Sequence, residues 1–375
     1  MLFAAVSLAT AFLAGHDTVH VRSDVLARTL SNRSACTLTA SANAWTSSPS
    51  VVQVGKATIL PSGRVALFDL DRGKLRIIGS TGADIAAVGA RGAGPGEFGA
   101  RAVFTQWPGD TVAVADPETS RISLFTARGF ERSQPMGRVV GVARSLPLAR
   151  FADGTLLFVT GIFVPGTRSP YRQTFGLMRW DLAADSGVTI RDSLPGTEMH
   201  VFRAADGHPT FAKVNFGRMG TAAGNASYVV AHDDAKPHFD VMTPAGKIIR
   251  TIVLDAPDPV VTPYDRDTVL ARVAKMRPSV IPGANEAMRT VPDRRTLATL
   301  LAVDQENGIW IVLYPSAQGE QPLYVRLGID GVPTHCARGD EETRVIAFGA
   351  GTLVTATARD EGDAIAMRKA VTYPR

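Results

Sequence analysis

The feature that most limits how this chain can fold is a short turn that recurs six times. Each copy contains glycine and stands between two β-rich runs; the copies are Ser62-Gly63, Gly109-Asp110, Asp153-Gly154, Gly224-Asn225, Asn307-Gly308 and Ala350-Gly351. Where no insertion intervenes, successive copies lie about 45 residues apart, a period typical of repeat architectures whose unit is a small sheet. Six copies predict six repeated modules.

Each module has the pattern of four short strands. In the first module, β-rich runs occupy residues 56–60, 64–69, 75–78 and 84–88, and turn residues separate them. Runs of this length joined by such turns predict an antiparallel meander. The 35 glycines and 23 prolines of the 375-residue chain suit a turn-rich protein. The sequence therefore predicts an all-β fold, a six-bladed β-propeller of four-stranded antiparallel blades over residues 34–375.

The glycine that precedes the outermost strand of a module occurs only five times. These glycines are Gly82, Gly129, Gly187, Gly246 and Gly331. The sixth module is thus one strand short, and an open seam would expose unpaired strand edges. We expect an amino-terminal strand, within residues 35–42 or 51–54, to complete the last blade beside residues 364–372.

One segment departs from the repeat. Residues 264–276 place Val269, Leu270, Val273 and Met276 on one face at helical spacing, and Pro278 follows. This pattern predicts an amphipathic helix within a helical insertion at about residues 256–295. The helix can pack over a blade edge or a channel mouth; a helix that docks a partner is the alternative.

The amino terminus is apolar from Leu2 to Ala14, apart from Ser7 and Thr10. This length suits a signal peptide and is too short to span a bilayer. We therefore predict a signal peptide at residues 1–15 and export to the periplasm or outside the cell. No Lys or Arg precedes Arg22, so a misassigned start codon and a buried amino-terminal strand stay open as alternatives. No later run approaches 18 apolar residues, which predicts no integral membrane segment after signal removal.

The chain has two cysteines, Cys36 and Cys336. Two are too few for a Cys-rich metal site, and in an oxidising compartment they could form one disulfide. The alternative is a pair of free thiols.

The corner between the first two modules, residues 91–98, reads Arg-Gly-Ala-Gly-Pro-Gly-Glu-Phe. It suits a tight reversal between sheets, and it lacks the Gly-Lys-Ser/Thr ending of a phosphate-binding loop. With the Pro-x-Gly-x-Val-x-Leu-x-Asp pattern before it, this corner resembles the bacterial six-bladed β-propeller proteins related to NHL repeats. The match is sharp over residues 51–131 and loose elsewhere. The resemblance implies the fold and export, and it implies no particular activity.

In the first two modules an aspartate ends the second strand, and a basic residue follows five positions later. The pairs are Asp69 with Lys74 and Asp116 with Arg121. We expect ion pairs that bridge the turns, each worth at most about 1 kcal/mol where it is exposed. The third and fourth modules lack this spacing.

Several modules carry a cation shortly before the recurring turn. These candidate ligand-binding residues are Lys56, Arg101, Arg144 and Arg344. Gathered at one mouth of the central channel, they could hold a carboxylate or phosphate by Coulomb attraction. The alternative is a solvated rim, since Lys and Arg make up 40 of the residues. The basic residues are scattered and aromatic residues are only 7%, which argues against a nucleic-acid surface.

No nucleophile motif accompanies these cations, so the sequence predicts an exported, monomeric, non-enzymatic binding protein without a cofactor. Its partner would be a small anionic molecule or a protein or peptide. The alternative is a metal-dependent lyase or lactone hydrolase with calcium or zinc. That alternative depends on four histidines of the fourth module, His200, His208, His232 and His238, whose spacing fits no known ligand motif.

Overall fold

The computed structural model describes residues 17–22, 24–25, 33–36, 38, 54–69, 71–138, 146–162, 170–203, 209–274, 285, 288, 291–314, 321–339, 343–358 and 363–373. These residues form six blade sheets around a central channel, antiparallel apart from one parallel edge strand in blade 4, so the predicted six-bladed propeller is confirmed. The strand that opens each sheet lines the channel.

Blades 1 and 2 have the four strands that the repeat predicts. Blade 1 contains β2 (Val54–Ile59), β3 (Val65–Asp69), β4 (Lys74–Ile78) and β5 (Asp84–Val88). Two short strands of the corner follow, β6 (Ala90–Arg91) and β7 (Glu97–Phe98), which pair in parallel. Blade 2 contains β8 (Val103–Gln106), β9 (Val112–Asp116), β10 (Arg121–Thr126) and β11 (Gly129–Pro135).

Blades 3, 4 and 5 have five strands each. Blade 3 contains β12 (Leu146–Arg150), β13 (Leu156–Ile162), β14 (Tyr171–Asp181), β15 (Ser186–Arg203) and β16 (Pro209–Lys213). Blade 4 contains β17 (Gly220–Gly224), β18 (Val229–Asp233), β19 (His238–Met242), β20 (Ile248–Leu254) and the amino-terminal strand β1 (Asp17–Val21). Blade 5 contains β21 (Ala298–Val303), β22 (Ile309–Leu313), β23 (Leu323–Leu327), β24 (Pro333–Arg338) and the carboxy-terminal strand β28 (Val371–Thr372).

Blade 6 has three described strands, β25 (Thr343–Phe348), β26 (Thr352–Thr357) and β27 (Ala364–Lys369). The candidate closing segments fall mostly on residues 39–53, outside the described part of the chain, and the closing strand stays a prediction. Residues 364–372 are not one strand, because Ala370 separates β27 from β28, which pairs with β24 of blade 5. The strand β1 was not foreseen; it runs parallel to β20 in blade 4.

The core consists of six apolar layers, one between each pair of neighbouring blades. Because side chains alternate along a strand, the second strand of a blade serves two layers. In β3, Val65 and Leu67 pack toward blade 6, whereas Ala66 and Phe68 pack toward blade 2. All five residues of β3 are therefore buried. The layer between blades 6 and 1 closes the ring.

The corner is held by hydrogen bonds and not by the ion pairs that we expected. Arg121 donates from Nη2 to the carbonyl oxygens of Gly94 and Glu97, the latter at 2.8 Å. The Asp116 carboxylate accepts from Gly99 N at 2.9 Å, and Asp69 lies 4.0 Å from Arg76. The prediction of Asp69–Lys74 and Asp116–Arg121 pairs was wrong: Asp69 accepts from Arg72 N and lies near the Arg72 and Arg76 guanidinium groups, whereas Asp116 and Arg121 bind backbone groups of the corner.

The insertion contains the predicted helix, α1 (Pro263–Val273). Its first turn is a capping arrangement, since Thr262 N donates to Asp265 Oδ2 at 2.9 Å and Asp265 N donates to Thr262 Oγ1 at 3.2 Å. Val269 and Val273 are buried, but Leu270 is 44% exposed, so the buried stripe is narrower than predicted. Met276 and Pro278 lie outside the described residues. Within the described chain, no helix is long and apolar enough to cross a membrane.

The structure joins Cys36 and Cys336 by a disulfide, with Cα atoms 5.3 Å apart. Cys36 ends a short 3₁₀ helix (Arg33–Cys36), and Cys336 lies in β24. Both cysteines are buried in the layer between blades 4 and 5. The bond therefore attaches the amino-terminal segment to the outer part of blade 5.

Candidate functional site

The channel contains a cavity of about 700 Å³ near the turns that follow the inner strands. All six inner strands contribute to its wall, as do turn residues such as Pro61, Pro108, Asn225 and Gln305. This volume lies within the range of cavities that bind small organic molecules in proteins. The cavity is therefore the candidate binding site.

Bulges in the inner strands direct side chains into this cavity. The pairing register of an inner strand with its neighbour shifts in four blades, at residues 55–56 of β2, Leu148 of β12, Leu301 of β21 and Ile346 of β25. A bulge inserts an extra residue and re-aims its side chain. Lys56, Leu148, Leu301 and Ile346 all line the cavity. Part of the cavity wall thus consists of bulged residues, which regular pairing of the inner strand with its neighbour would turn away from the cavity.

Two cations face the cavity, Lys56 of blade 1 and Arg150 of blade 3. The Arg150 guanidinium lies over the ring of Trp107, 4.8 Å from its centroid, in a cation–π contact. Its Nε is buried and makes no hydrogen bond within the described part of the structure. Among the described residues, neither Lys56 nor Arg150 has a carboxylate partner.

The one aspartate on the cavity wall, within the described ranges, does not neutralise these cations. Asp304 is 4% exposed, and its carboxylate accepts hydrogen bonds from Arg326 Nε at 2.6 Å and Nη2 at 3.1 Å. Trp310 Nε1 also donates to it, at 3.1 Å. Because Arg326 already balances the charge of Asp304, the cavity has a positive field.

Most of the wall contributed by blades 5 and 6 is apolar, and its polar residues are Asp304 and Gln305 of the turn after β21. Leu301, Ile346 and Phe348 line this side, and each is partly buried. Phe348 rests against Trp310, with ring centroids 5.5 Å apart, which fixes its position. The cavity thus has a cationic wall from blades 1 to 3 and an apolar wall from blades 5 and 6.

Of the four cations that the sequence proposed, Lys56 lines the cavity. Arg101 lies in the turn before β8, is largely exposed, and is 3.8 Å from Glu118. Arg344 is the second residue of β25 and pairs with Asp363 at 2.9 Å. Asp363 also accepts a hydrogen bond from Val54 N at 2.9 Å, so this group connects blade 6 to blade 1. Arg144 falls outside the described residues.

Arg150 and Trp107 were missed in the sequence. Arg150 is the last residue of its inner strand, and the other inner strands end in Ile59, Gln106, Gly224, Val303 and Phe348. A single charge at a position that is otherwise uncharged is the signal that could have identified it.

The three described histidines of the alternative metal site do not come from one module, since His200 lies in β15 of blade 3 and His232 and His238 lie in blade 4. His232 is buried between blades 4 and 5, where Nδ1 is 2.8 Å from His238 O and Nε2 is 3.0 Å from Ala298 O. Burial lowers the pKa of His232, although both carbonyls favour its protonated form. His200 is also buried, His238 is 3.8 Å from Asp240, and His208 lies outside the described residues. Among described residues, no three His, Cys, Asp or Glu side chains are placed to share a metal ion.

A charged group with a perturbed pKa lies where β18 ends, away from the cavity. Asp234 is 3% exposed, accepts a hydrogen bond from Met219 N, and lies 3.7 Å from Arg172. Arg172 makes its closer ion pair with Asp233, at 2.8 Å. Burial outweighs these contacts and raises the pKa of Asp234 from its ordinary 3.8 to about 7.

Replacing Asp234 by asparagine should stabilise the protein at pH 8 and change it little at pH 4. The folded state keeps a proton on Asp234 that the unfolded chain loses, so stability falls as pH rises from about 4 to about 7. Asparagine stays neutral and can still accept from Met219 N. Urea unfolding should show a larger gain for Asp234→Asn at pH 8 than at pH 4, by up to about 4 kcal/mol, since each unit of pKa shift corresponds to about 1.4 kcal/mol. An equal change at both pH values would contradict this assignment.

No family model matches the chain, and no curated protein matches it. Among solved structures, a candidate exported protein of Bacteroides fragilis has a TM-score of 0.54 and 11% identity, over 94% of this chain and 99% of that chain.

Two further matches are more distant. Virginiamycin B lyase of Staphylococcus aureus has a TM-score of 0.42 and 10% identity, over 87% of this chain and 98% of its own. The calcium-binding protein regucalcin of Agrobacterium tumefaciens has a TM-score of 0.41 and 10% identity, over 88% and 93%. At sequence identities this low, structural similarity shows a shared fold only. With the six sheets and the Bacteroides match, the chain is a six-bladed β-propeller, as its resemblance to NHL-related propellers predicted.

Proposed function

We propose that this protein is an exported, non-enzymatic binding protein whose channel cavity accepts an anionic small molecule or the anionic end of a peptide. One observation carries the proposal: Lys56 and Arg150 share one cavity, and no described carboxylate neutralises either of them.

The Arg150 guanidinium is partly buried, and a partly buried cation without a counter-charge has a raised free energy. An anion that takes the place of the lost water stabilises the guanidinium. A hydrogen bond between oppositely charged groups is also stronger than one between neutral groups. The low-dielectric walls of the channel also concentrate the field of both cations. A carboxylate or phosphate placed between Lys56 and Arg150 would supply the missing counter-charge.

Removing either cation should weaken anion binding by about tenfold or more, the usual worth of a charge-assisted hydrogen bond. The variants are Lys56→Gln and Arg150→Gln, tested by calorimetric titration with benzoate and with inorganic phosphate. Arg150→Lys keeps a positive charge at the same position and should retain part of the affinity. Arg101→Gln is the matched control, because Arg101 is exposed and does not line the cavity.

The proposal fails if no anion binds, or if Arg101→Gln loses as much affinity as the cavity variants. Metal analysis of untagged protein and assays of lactone and ester turnover should accompany the titrations. Stoichiometric calcium or zinc together with turnover would favour a metal-dependent lyase or lactone hydrolase instead.

Export is supported by the apolar run of residues 2–14 and by the disulfide, since disulfides persist in oxidising compartments. Intact-mass analysis of the protein from its native host should show loss of roughly the first 14 or 15 residues. Retention of this segment would contradict export through a cleaved signal peptide.

A further inference from the structure

We infer that the anion accepted by the channel cavity is amphipathic: a carboxylate attached to an apolar chain or ring. This inference rests on the proposed function and names the class of ligand. It depends on the two unlike walls of the cavity and on its size.

The size of the cavity excludes a good fit to an inorganic anion alone. About 700 Å³ is enough for an organic molecule of drug-like dimensions. Phosphate or acetate beside Lys56 and Arg150 would leave most of this space to water, in contact with Leu301, Ile346 and Phe348. Replacing water at an apolar wall by an apolar group of the ligand lowers the free energy of the complex.

The apolar wall lies between the core and the channel, because Leu301 and Phe348 pack against the layer between blades 5 and 6 and Ile346 packs against the layer between blades 6 and 1. Leu301 and Ile346 occupy bulges of β21 and β25, and both line the cavity. Leu300, next to Leu301, is buried in the layer between blades 4 and 5, and Ala347, next to Ile346, is buried in the layer between blades 6 and 1. The bulged residues Leu301 and Ile346 thus border the core layers and also line the cavity, so the core holds them in place on the cavity wall.

The cationic wall orients the head of such a ligand. Trp107 supports the Arg150 guanidinium from one side at 4.8 Å, so the guanidinium has a defined plane for a carboxylate to meet. Lys56 of blade 1 lines the same cavity. An anion bound there would direct its apolar part across the channel toward blades 5 and 6.

The test is a series of straight-chain carboxylates, acetate, butyrate, hexanoate and octanoate, titrated below their micellar concentrations with 1-octanol as the uncharged comparison. We expect affinity to increase about fourfold for each buried methylene until the cavity is filled. Ile346→Thr and Leu301→Asn should flatten this dependence on chain length, because they should lower the affinity for octanoate much more than the affinity for acetate. Their melting temperatures, measured without ligand, show whether each variant is folded.

The possible outcomes separate the inference from the proposed function. Equal binding of acetate and octanoate would overturn the amphipathic ligand and leave anion binding standing. Octanol binding as tightly as octanoate would also overturn it, since the charge would then contribute nothing. No binding of any carboxylate would reject the proposed function and this inference together.

Discussion

Loss of the disulfide between Cys36 and Cys336 should lower the free energy of unfolding by about 5 kcal/mol, the upper end of the usual range. The bond joins residues that are 300 positions apart, so the unfolded chain is strongly restricted while it is present. Its loss would also leave two buried thiols between blades 4 and 5. Chemical unfolding with and without reductant measures the effect.

The double variant Cys36→Ser, Cys336→Ser is the control, because it should be insensitive to reductant and as unstable as the reduced protein. Thiol titration of the unfolded, unreduced protein provides the second check. Two free thiols in that experiment would contradict the bond.

Replacing Asp304 by alanine should cost about 3–5 kcal/mol of unfolding free energy, the loss seen when one partner of a buried ion pair is removed. Arg326 would stay buried without its carboxylate, and the backbone N–H of Gly308, now 2.8 Å from Asp304 Oδ1, would lose its acceptor. Urea unfolding followed by tryptophan fluorescence measures this loss.

Asp330→Ala is the matched control in the same blade. Asp330 is exposed and accepts one hydrogen bond, from Val332 N at 3.0 Å, so its loss should cost less than about 1 kcal/mol. Equal losses for Asp304→Ala and Asp330→Ala would mean that the buried pair does not stabilise blade 5.

The fold was predictable because its information is local and repeated. The turns at Gly63, Gly109 and Gly154 mark equivalent places in successive blades, and strand alternation in a run such as Val65–Asp69 places successive side chains in alternate layers. The strands β1 and β28 were not predictable in this way. They are short, and their pairing with β20 and β24 depends on where the ends of the chain return in space.

The site was only partly predictable, for a related reason. Lys56 was identified by its place before a turn. Its side chain lines the cavity because of a bulge in β2, and no residue pattern predicts that bulge. Arg101 and Arg344 occupy similar places in the sequence and instead contact Glu118 and Asp363. Arg150 lies at a strand end, where the turn geometry and Trp107 determine its direction.

A diffraction experiment on crystals soaked in 3-iodobenzoate would locate an anionic, apolar ligand directly, because iodine gives an anomalous signal. We expect the carboxylate within about 3 Å of a nitrogen of Arg150 or Lys56, and the iodine toward Leu301, Ile346 and Phe348. Crystals of Arg150→Gln under the same soak should show reduced occupancy. Iodine found only outside the channel, with the cavity free of ligand density, would contradict the assignment of the channel as the binding site.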